Sequence, residues 1–391
     1  MDDATNPYSP GAGRLPAALV GRDAQIAAWD VALRRLEGGR DAQPLALYGL
    51  RGVGKTVLLT QFGDMARAKG WLVGQVEARA GAPIRQLIGD EFGPELSRLA
   101  RPGAGARLLQ ALKSILAFRA TYDSTGTWSV GLDLKDVPAS PVATGSLETD
   151  LRVLLQDLTA AMAERGAGVA LLIDEAQDLT AEELVALSAI AHRATQHRDR
   201  LAVAVAGLPS LPRVLTEAKS YAERLFNYQT IGALAPQDAK QALLAPAEAE
   251  DVAWAAEAAR HVLKMAGGYP YFLQQFGQEA WRAAADSPIT LADARVGVAS
   301  GWHALDTGFF RVRWERATRS EKAFLRAMSA DGDAGSATAD LPPRLGVKPK
   351  SLSVARGALI AKGLIYSPDH GRVAFTVPGM AAFIERQTDQ E

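Results

Sequence analysis

Short apolar runs alternate with amphipathic segments over residues 45–231 of the chain. Two of these runs, at 169–173 and 201–206, are almost continuously apolar, as expected of central strands buried on both faces. Strands that alternate with helices in this way predict a parallel five-stranded sheet with helices on both of its faces. The five predicted strands are Leu45–Tyr48, Trp71–Val76, Val169–Ile173, Leu201–Ala206 and Phe226–Ile231.

The segments around these strands have different characters. Residues 1–18 are polar and contain several prolines and glycines, which predicts an extended N-terminal arm. A helix is predicted from Ala24 to Glu37, where apolar side chains recur at helical spacing. A long insertion, residues 79–147, separates the second strand from the third, and such a length is typical of a family-specific elaboration. The elements predicted within it are helices at Ile84–Leu99 and Ala104–Arg119, a short hairpin strand at Trp128–Leu134 and a linker from Val137 to Gly145.

Beyond residue 235 the pattern becomes entirely helical, and beyond residue 305 it changes again. The last part reads as three helices followed by a two-stranded hairpin, which is the pattern of a winged helix-turn-helix. We therefore expect an arm (1–18), an α/β domain (19–234), an all-α domain (235–304) and a winged helix domain (305–391). The helices predicted after residue 235 are Pro236–Ala245, Asp251–Ala266, Tyr271–Ala285, Leu291–His303, Arg319–Ser329, Ala337–Leu345 and Ser351–Lys362, and the hairpin strands are Gly363–Tyr366 and Arg372–Thr376.

Composition restricts the chemistry that the chain can perform. It has 43 Lys and Arg residues against 44 Asp and Glu residues, so any nucleic-acid surface would have to be a local patch. The absence of cysteine excludes disulfides, thiolate zinc sites and cysteine nucleophiles, and it favours a reducing cytoplasm. No apolar run is long enough to span a membrane and no signal peptide pattern is present, so we expect a soluble cytoplasmic protein with no membrane partner.

The residues from Gly49 to Thr56 read G-x-x-x-x-G-K-T, a complete P-loop. The motif follows the strand Leu45–Tyr48 and precedes an amphipathic helix, Thr56–Lys69, which is the context that it requires. Its glycines allow backbone N–H groups to surround phosphate oxygens, and the helix N-terminus adds positive potential. Lys55 would contact the β- and γ-phosphates, and the Thr56 hydroxyl would bind Mg²⁺. The sequence therefore predicts a nucleoside triphosphate site.

A second motif is the apolar strand that begins at Val169 and ends in Asp174 and Glu175, as in a Walker B sequence. Asp174 would hold Mg²⁺ through water, and Glu175 would polarise the water that attacks the γ-phosphate. Phosphoryl transfer depends on positioning and charge rather than on covalent chemistry by the protein. The Asp-Glu pair is typical of ATPases with a glutamate base. The chain contains no N-K-x-D motif for guanine, so ATP is the expected substrate.

Two positions near the carboxyl ends of later strands leave alternatives open. Gly207 and Ser210 follow the fourth strand, where a polar side chain often senses phosphate, and they are weak candidates for that role. Arg224 precedes the fifth strand, where an arginine of an oligomeric ATPase can enter a neighbouring subunit's site. The alternative is a surface ion pair of Arg224 with Glu217 or Glu223.

The predicted winged helix carries a modest set of basic residues. They could contact phosphates and a major groove, which would make DNA a partner. The alternative is a winged helix that packs against protein. The basic residues are Lys348, Lys350, Arg356, Lys362 and Arg372.

Together these motifs resemble those of the AAA+/STAND P-loop ATPases, in particular bacterial proteins with an Orc1/Cdc6-like ATPase domain. The resemblance covers about residues 5–386 and rests on Leu19–Asp23, Gly49–Thr56, Leu171–Glu175, Arg224, Gly267–Pro270 and the winged helix pattern. It implies a P-loop NTPase fold of the AAA+/ASCE type with an all-α lid, the cofactors ATP and Mg²⁺, and a nucleotide-dependent homo-oligomer. The residues then expected at the nucleotide are Val20, Gly21, Arg22, Gly49, Arg51, Gly52, Val53, Gly54, Lys55, Thr56, Val57, Tyr269 and Pro270.

The chain departs from the Orc1/Cdc6 pattern in two places. No polar sensor is evident near Gly207, and Tyr269-Pro270 stands where the lid of those proteins carries an arginine. Both departures favour slow ATP hydrolysis and a switch. Two functions fit this pattern: an ATP-dependent DNA-binding factor of the initiator or transposition-helper kind, and a STAND-type switch whose winged helix binds protein partners and not DNA.

Overall fold

The computed structural model describes residues 1–11, 13–100, 105–120 and 144–387. Within helix Pro349–Ala361 it places the backbone throughout, but the side chains of residues 349–351 are outside the description. The predicted hairpin strand Trp128–Leu134, and all but the last two residues of the predicted linker Val137–Gly145, also lie outside the described residues.

A five-stranded parallel sheet forms the centre of the first part of the chain. Its strands are β1 Leu45–Tyr48, β2 Leu72–Glu77, β3 Val169–Asp174, β4 Leu201–Gly207 and β5 Asn227–Thr230. The strand order is β2-β3-β4-β1-β5, and β3 and β4 are buried along their whole length. The predicted sheet is confirmed, with every strand within one residue of its expected ends. The carboxyl ends of β1 and β3, which carry the two motifs, open at the same edge on either side of β4.

Helices cover both faces of this sheet. They are α1 Asp23–Glu37, α2 Lys55–Ala68, α3 Ile84–Leu99, α4 Ala106–Ala120, α5 Leu147–Ala163, α6 Ala181–His197, α7 Leu211–Ala218 and α8 Ala222–Leu225. Trp29 of α1 stacks on Phe62 of α2 with ring centroids 5.0 Å apart, and its indole N–H donates to the Phe62 carbonyl at 2.9 Å. Full burial of a large apolar side chain stabilises a fold by about 1.5–3 kcal/mol. The stack therefore fixes α1 against the helix that follows the P-loop.

The described part of the insertion packs on the sheet as a continuation of the α/β domain. The Phe92 ring of α3 fills the space over Gly74 of β2, where an added Cβ would lie 2.5 Å from that ring. Arg85 of α3 forms a buried ion pair with Asp150 of α5 at 2.7 Å. The first of the two helices predicted here has its expected ends, and the second begins two residues later, at Ala106.

The next segment, residues 235–304, is helical as predicted. It contains α9 Pro236–Glu248, α10 Ala256–Ala266, α11 Pro270–Ala283 and α12 Leu291–Ala304. The expected start of α10 at Asp251 is wrong, because the residues before Ala256 are extended. Ile289 donates to the Ala253 carbonyl at 2.8 Å and accepts from the Ala255 N–H at 3.0 Å, and this pairing uses the backbone groups that a helix would need.

The N-terminal arm lies against these helices. Asp3–Thr5 is a short 3₁₀ turn rather than extended chain, because Asp2 caps it by accepting from the Ala4 N–H. The Tyr8 side chain is only 1% exposed. Its hydroxyl donates to the Leu243 carbonyl and accepts from the Trp254 indole at 2.9 Å. The arm is therefore attached to the helical segment before it reaches the α/β domain.

The C-terminal segment, residues 305–387, follows through a π-helical turn at Leu305–Phe310. Its helices are α13 Arg311–Glu315, α14 Arg319–Ser329, α15 Leu341–Leu345, α16 Pro349–Ala361 and α17 Met380–Arg386, and its antiparallel strands are β6 Ser336–Ala337, β7 Ile365–Tyr366 and β8 Arg372–Phe375. The predicted helix Ala337–Leu345 is wrong in its first part, because β6 pairs with β8 as a third strand. Within the described ranges, no helix combines the length and apolarity that a membrane crossing requires.

Candidate nucleotide site

The P-loop connects β1 to α2 in a conformation that only glycine permits at several positions. Gly52 and Gly54 have φ values of 83° and 96°, in the left-handed region that disfavours side chains. Gly49 donates its N–H to the Gly207 carbonyl of β4 at 3.1 Å. A Cβ on Gly49 would lie 1.9 Å from the Ile231 carbonyl oxygen. Gly49 thus allows the loop to leave the sheet, and the following glycines allow it to curl.

Lys55 is the buried cation of this loop. Its ammonium donates to the carbonyls of Gly49 at 2.9 Å and Leu50 at 2.8 Å. Burial lowers the pKa of Lys55 to about 8, although the carboxylates of Glu175 and Asp174 oppose the shift. Two loop carbonyls therefore hold the ammonium within the loop. They carry no full negative charge, so a bound phosphate would supply the strong anion for this cation.

Thr56 and Asp174 bring two oxygen donors together. The Thr56 hydroxyl donates to Asp174 Oδ2, and Asp174 Oδ1 accepts from the Glu175 N–H at 2.8 Å. Burial raises the pKa of Asp174, and the hydrogen bond from Thr56 opposes this shift. Hydroxyl and carboxylate oxygens suit Mg²⁺, which commonly takes one or two protein ligands beside substrate phosphates and water. Among the described residues, no group of three or more His, Asp or Glu side chains is placed to hold a metal ion.

Glu175 lies just beyond β3 in a left-handed conformation with φ 49°. Its Oε1 accepts from Arg51 Nη1 at 2.7 Å, and its Oε2 accepts from Gln177 Nε2 at 2.6 Å. Gln177 in turn accepts from the Leu208 N–H at 2.9 Å. An added Cβ on Gly207 would lie 2.5 Å from Gln177 Oε1. The end of β4 lacks a polar side chain because Gln177 occupies the space beside it, and sequence reasoning missed this residue.

A cavity of about 810 Å³ lies at this edge of the sheet, between the arm, the P-loop, the end of β3 and the helical segment. Ten of the thirteen residues expected at the nucleotide line it, together with Asp174 and Glu175. The ten are Val20, Arg22, Arg51, Gly52, Val53, Gly54, Lys55, Thr56, Val57 and Pro270.

The other three expected residues do not line the cavity. Gly21 has a left-handed φ of 67° and leaves no room for a side chain beside Asp238. Gly49 faces Ile231, as described above. The Tyr269 ring packs on Gly52, and its buried hydroxyl has no hydrogen-bond partner within the described part of the chain.

Arg22 lines the cavity but uses its guanidinium for backbone contacts. Nη2 donates to the carbonyls of Val53 at 3.0 Å and Gly232 at 2.6 Å. Burial lowers the pKa of Arg22. The side chain therefore links the start of α1 to the P-loop.

The C-terminal segment also reaches the site, which the sequence did not indicate. The Arg51 N–H donates to the Thr376 carbonyl at 3.0 Å, and a Cβ on Gly363 would lie 2.9 Å from Arg51 Nη2. Phe309 and Arg313, at the start of this segment, line the cavity. No motif marks either residue, because their position depends on how the π-helical turn directs α13.

The remaining candidates lie away from the cavity. The Arg224 side chain is 82% exposed and forms one of the alternative surface ion pairs, with Glu223 at 3.9 Å. Lys348 is exposed, and the Lys350 side chain is outside the description. Three of the basic residues predicted to touch DNA have partners within the C-terminal segment. Lys362 pairs with Glu321 at 2.6 Å, Arg356 donates to Ser367 Oγ at 2.6 Å, and Arg372 donates to the carbonyls of Ala334 and Gly335 at 3.2 Å.

Comparison with known families agrees with this geometry. Residues 18–204 match the family model of the AAA ATPase domain, and residues 307–384 match a domain of unknown function, DUF8462. No significant sequence match was found among curated proteins.

Several solved structures are similar to the chain. The Walker-type ATPase of Pyrococcus abyssi has a TM-score of 0.55 at 14% identity, over 94% of this chain and 96% of that one. Cdc6p from Pyrobaculum aerophilum has a TM-score of 0.46 at 14% identity, over 99% and 97%. The Aeropyrum pernix ORC1 protein, solved in complex with DNA, has a TM-score of 0.43 at 14% identity, over 95% and 94%. The first of these similarities shows a shared fold.

The match to the AAA ATPase domain covers both phosphate-binding motifs, and the sheet has its P-loop and acidic pair at one edge around a cavity large enough for a nucleotide. Residues 18–204 therefore form a P-loop domain of the AAA ATPase family, within a chain that shares the fold of a Walker-type ATPase.

Proposed function

We propose that the protein is an ATP-controlled switch in which slow, Mg²⁺-dependent hydrolysis resets the position of the C-terminal segment. We further propose the division into arm, ATPase domain (19–234), lid (235–304) and winged helix domain (305–391). The observation that carries the proposal is the position of Arg51. This P-loop residue contacts Glu175 through its side chain and Thr376 through its backbone N–H.

The backbone contact supplies a reason for nucleotide control. P-loop N–H groups bind phosphate oxygens, and a charged phosphate oxygen is a stronger acceptor than a peptide carbonyl. Phosphate binding at Arg51 would therefore compete with the Thr376 carbonyl. Because Thr376 directly follows β8, loss of that hydrogen bond would free the C-terminal segment to move.

The side-chain contact supplies a reason for slow turnover. Glu175 has both carboxylate oxygens engaged, by Arg51 and by Gln177. A general base must be free to accept a proton from the attacking water, so these donors hold Glu175 in a resting state. Lys55 would neutralise phosphate charge while Thr56 and Asp174 hold Mg²⁺. When bound, Mg²⁺ would neutralise charge on the phosphate oxygens.

We propose DNA as the partner of the C-terminal segment, contacted by α16 and the basic residues around it. A protein partner is the second candidate. The observation in its favour is that Lys362, Arg356 and Arg372 already have partners within the segment, which lowers the number of cations available to phosphates. The absence of cysteine supports a reducing cytoplasm as the location of either activity.

The switch can be tested by measuring one distance in two nucleotide states. Since the chain has no cysteine, two substitutions would carry a single pair of spin labels: Gln196→Cys at an exposed position of α6, and Val354→Cys at a residue of α16 that is 79% exposed. We expect the distance between the labels to differ between the protein with ADP and the protein with a non-hydrolysable ATP analogue. The same distance distribution in both states would overturn the proposal.

A further inference from the structure

Arg313 lies in the nucleotide cavity without a carboxylate partner. Its Nη1 donates to the Phe309 carbonyl at 2.8 Å, and its guanidinium lies 3.8 Å from the centroid of the Phe309 ring. No Asp or Glu forms an ion pair with it within the described part of the chain. The side chain is half-buried, so water compensates only part of its charge.

The groups around Arg313 favour the binding of an anion. Arg51 and Lys55 line the same cavity and are also cationic. The four carboxylates that line the cavity already have donors: Thr56 for Asp174, Arg51 with Gln177 for Glu175, Arg79 for Glu77 and the Gln75 backbone for Glu91. Burial, followed by the charge of Arg51, lowers the pKa of Arg313 to about 10, so it stays cationic at neutral pH. Like charges brought together in a partly buried site are costly unless an anion joins them.

The side chain is also held in place before any ligand binds. Tyr271 of α11 stacks on Phe309 with centroids 5.0 Å apart and an interplanar angle of 26°. Arg313 continues this column, so a ring and a carbonyl hold the guanidinium, and the residue lines the cavity. A planar, fixed guanidinium is suited to bidentate binding of phosphate.

We infer that Arg313 binds the terminal phosphate of ATP, so that residues 307–384, which match a domain of unknown function, detect the nucleotide state directly within the same chain. The assignment to the terminal phosphate follows from the neighbours of Arg313. Arg51 lines the same cavity and contacts Glu175, the residue expected to activate water at that phosphate. The inference rests on the proposed switch and names the residue that would connect the phosphate to the moving segment.

The test compares the binding of Mg·ATP analogue, Mg·ADP and AMP by calorimetry. Arg313→Ala should weaken binding of the ATP analogue by about 10- to 100-fold, the value of a charge-assisted hydrogen bond, and should change ADP binding by less than about threefold. Arg313→Lys keeps the charge without the planar guanidinium. Its affinity for the ATP analogue should lie between those of the parent protein and Arg313→Ala. Arg311→Ala is the matched control, because Arg311 is an exposed arginine of α13 that does not line this cavity.

Two results would overturn the inference. Equal losses of ATP analogue and ADP binding in Arg313→Ala would mean that Arg313 only maintains the cavity wall. Unchanged binding of both would mean that it contacts no phosphate. The spin-label distance separates this failure from failure of the switch: a wild-type distance that responds to nucleotide supports the switch whatever the calorimetry shows, and a distance that does not respond refutes the switch even if Arg313 binds phosphate.

Discussion

Arg51 and Glu175 form an ion pair at 2.7 Å, although 124 residues separate them in the chain. The pair joins the middle of the P-loop to the expected catalytic base, and the two side chains are only 26% and 17% exposed. Donors that occupy the oxygens of a general base leave it less free to orient the attacking water. The arrangement therefore relates the slow turnover proposed here to one contact that can be removed by mutation.

Arg51→Met should increase ATP turnover by roughly an order of magnitude, because it removes a donor from Glu175 while the backbone N–H of residue 51 remains. The measurement is kcat at saturating ATP. Arg34→Met, which breaks an exposed ion pair with Asp30, serves as the control and should leave kcat unchanged. A decrease in kcat for Arg51→Met would show that Arg51 assists the reaction instead of restraining it.

Glu175→Gln should retain ATP binding and lose turnover, because the amide keeps the shape of the side chain but cannot act as a base. Binding is measured by calorimetry and hydrolysis by phosphate release. We expect a loss of at least about 100-fold in rate. Hydrolysis of ATP by Glu175→Gln at the parent rate would show that Glu175 is not the catalytic base.

ATP affinity should decrease above about pH 8. The pKa of Lys55 is lowered to about 8, so the free protein loses this ammonium as the pH rises through that value, and the lost charge is the one that faces the phosphates. Affinity should then fall by up to about tenfold per pH unit. Lys55→Ala should bind ATP weakly at every pH and without this dependence. A parent protein whose affinity is constant from pH 7 to 9.5 would contradict the assignment.

Replacing Lys350 and Arg356 together should weaken DNA binding and flatten its dependence on salt. With fewer phosphate contacts, binding would release fewer counterions. The measurement is duplex affinity at several salt concentrations. Lys240→Ala with Arg295→Ala, on α9 and α12, is a charge-matched control. An unchanged salt slope would favour the protein partner, and absence of DNA binding by the parent protein would exclude DNA.

Arg224→Ala should bind ATP normally and hydrolyse it poorly if Arg224 enters the site of a neighbouring subunit. Arginines of this kind contribute about 10³–10⁵ in rate in other P-loop systems. The high exposure of Arg224 leaves the side chain available for such a contact. Mixing Arg224→Ala with Lys55→Ala should restore part of the activity, because each subunit supplies what the other lacks. A protein that stays monomeric with ATP, and in which Arg224→Ala turns over normally, would refute this role.

Local physical rules made the sheet and its two motifs predictable from the sequence. The apolar runs that became β3 and β4 could lie only in a doubly covered sheet, and the P-loop required a strand before it and a helix after it. The errors occurred where a distant segment competed for backbone groups. Ile289 holds the residues before α10 in an extended form, and β8 takes Ser336–Ala337 as a strand.

The sequence by itself predicted a nucleoside triphosphate site, because the residues expected to surround phosphate are contiguous and their chemistry follows from spacing. Only the tertiary structure decided what restrains and surrounds that site. Arg51 contacts Glu175 and Thr376, Gln177 contacts Leu208, and Arg313 lines the cavity. Each of these contacts joins segments that periodicity and turn chemistry do not relate. Such contacts arise from the packing of whole elements, which is a property of the folded chain and not of any local pattern.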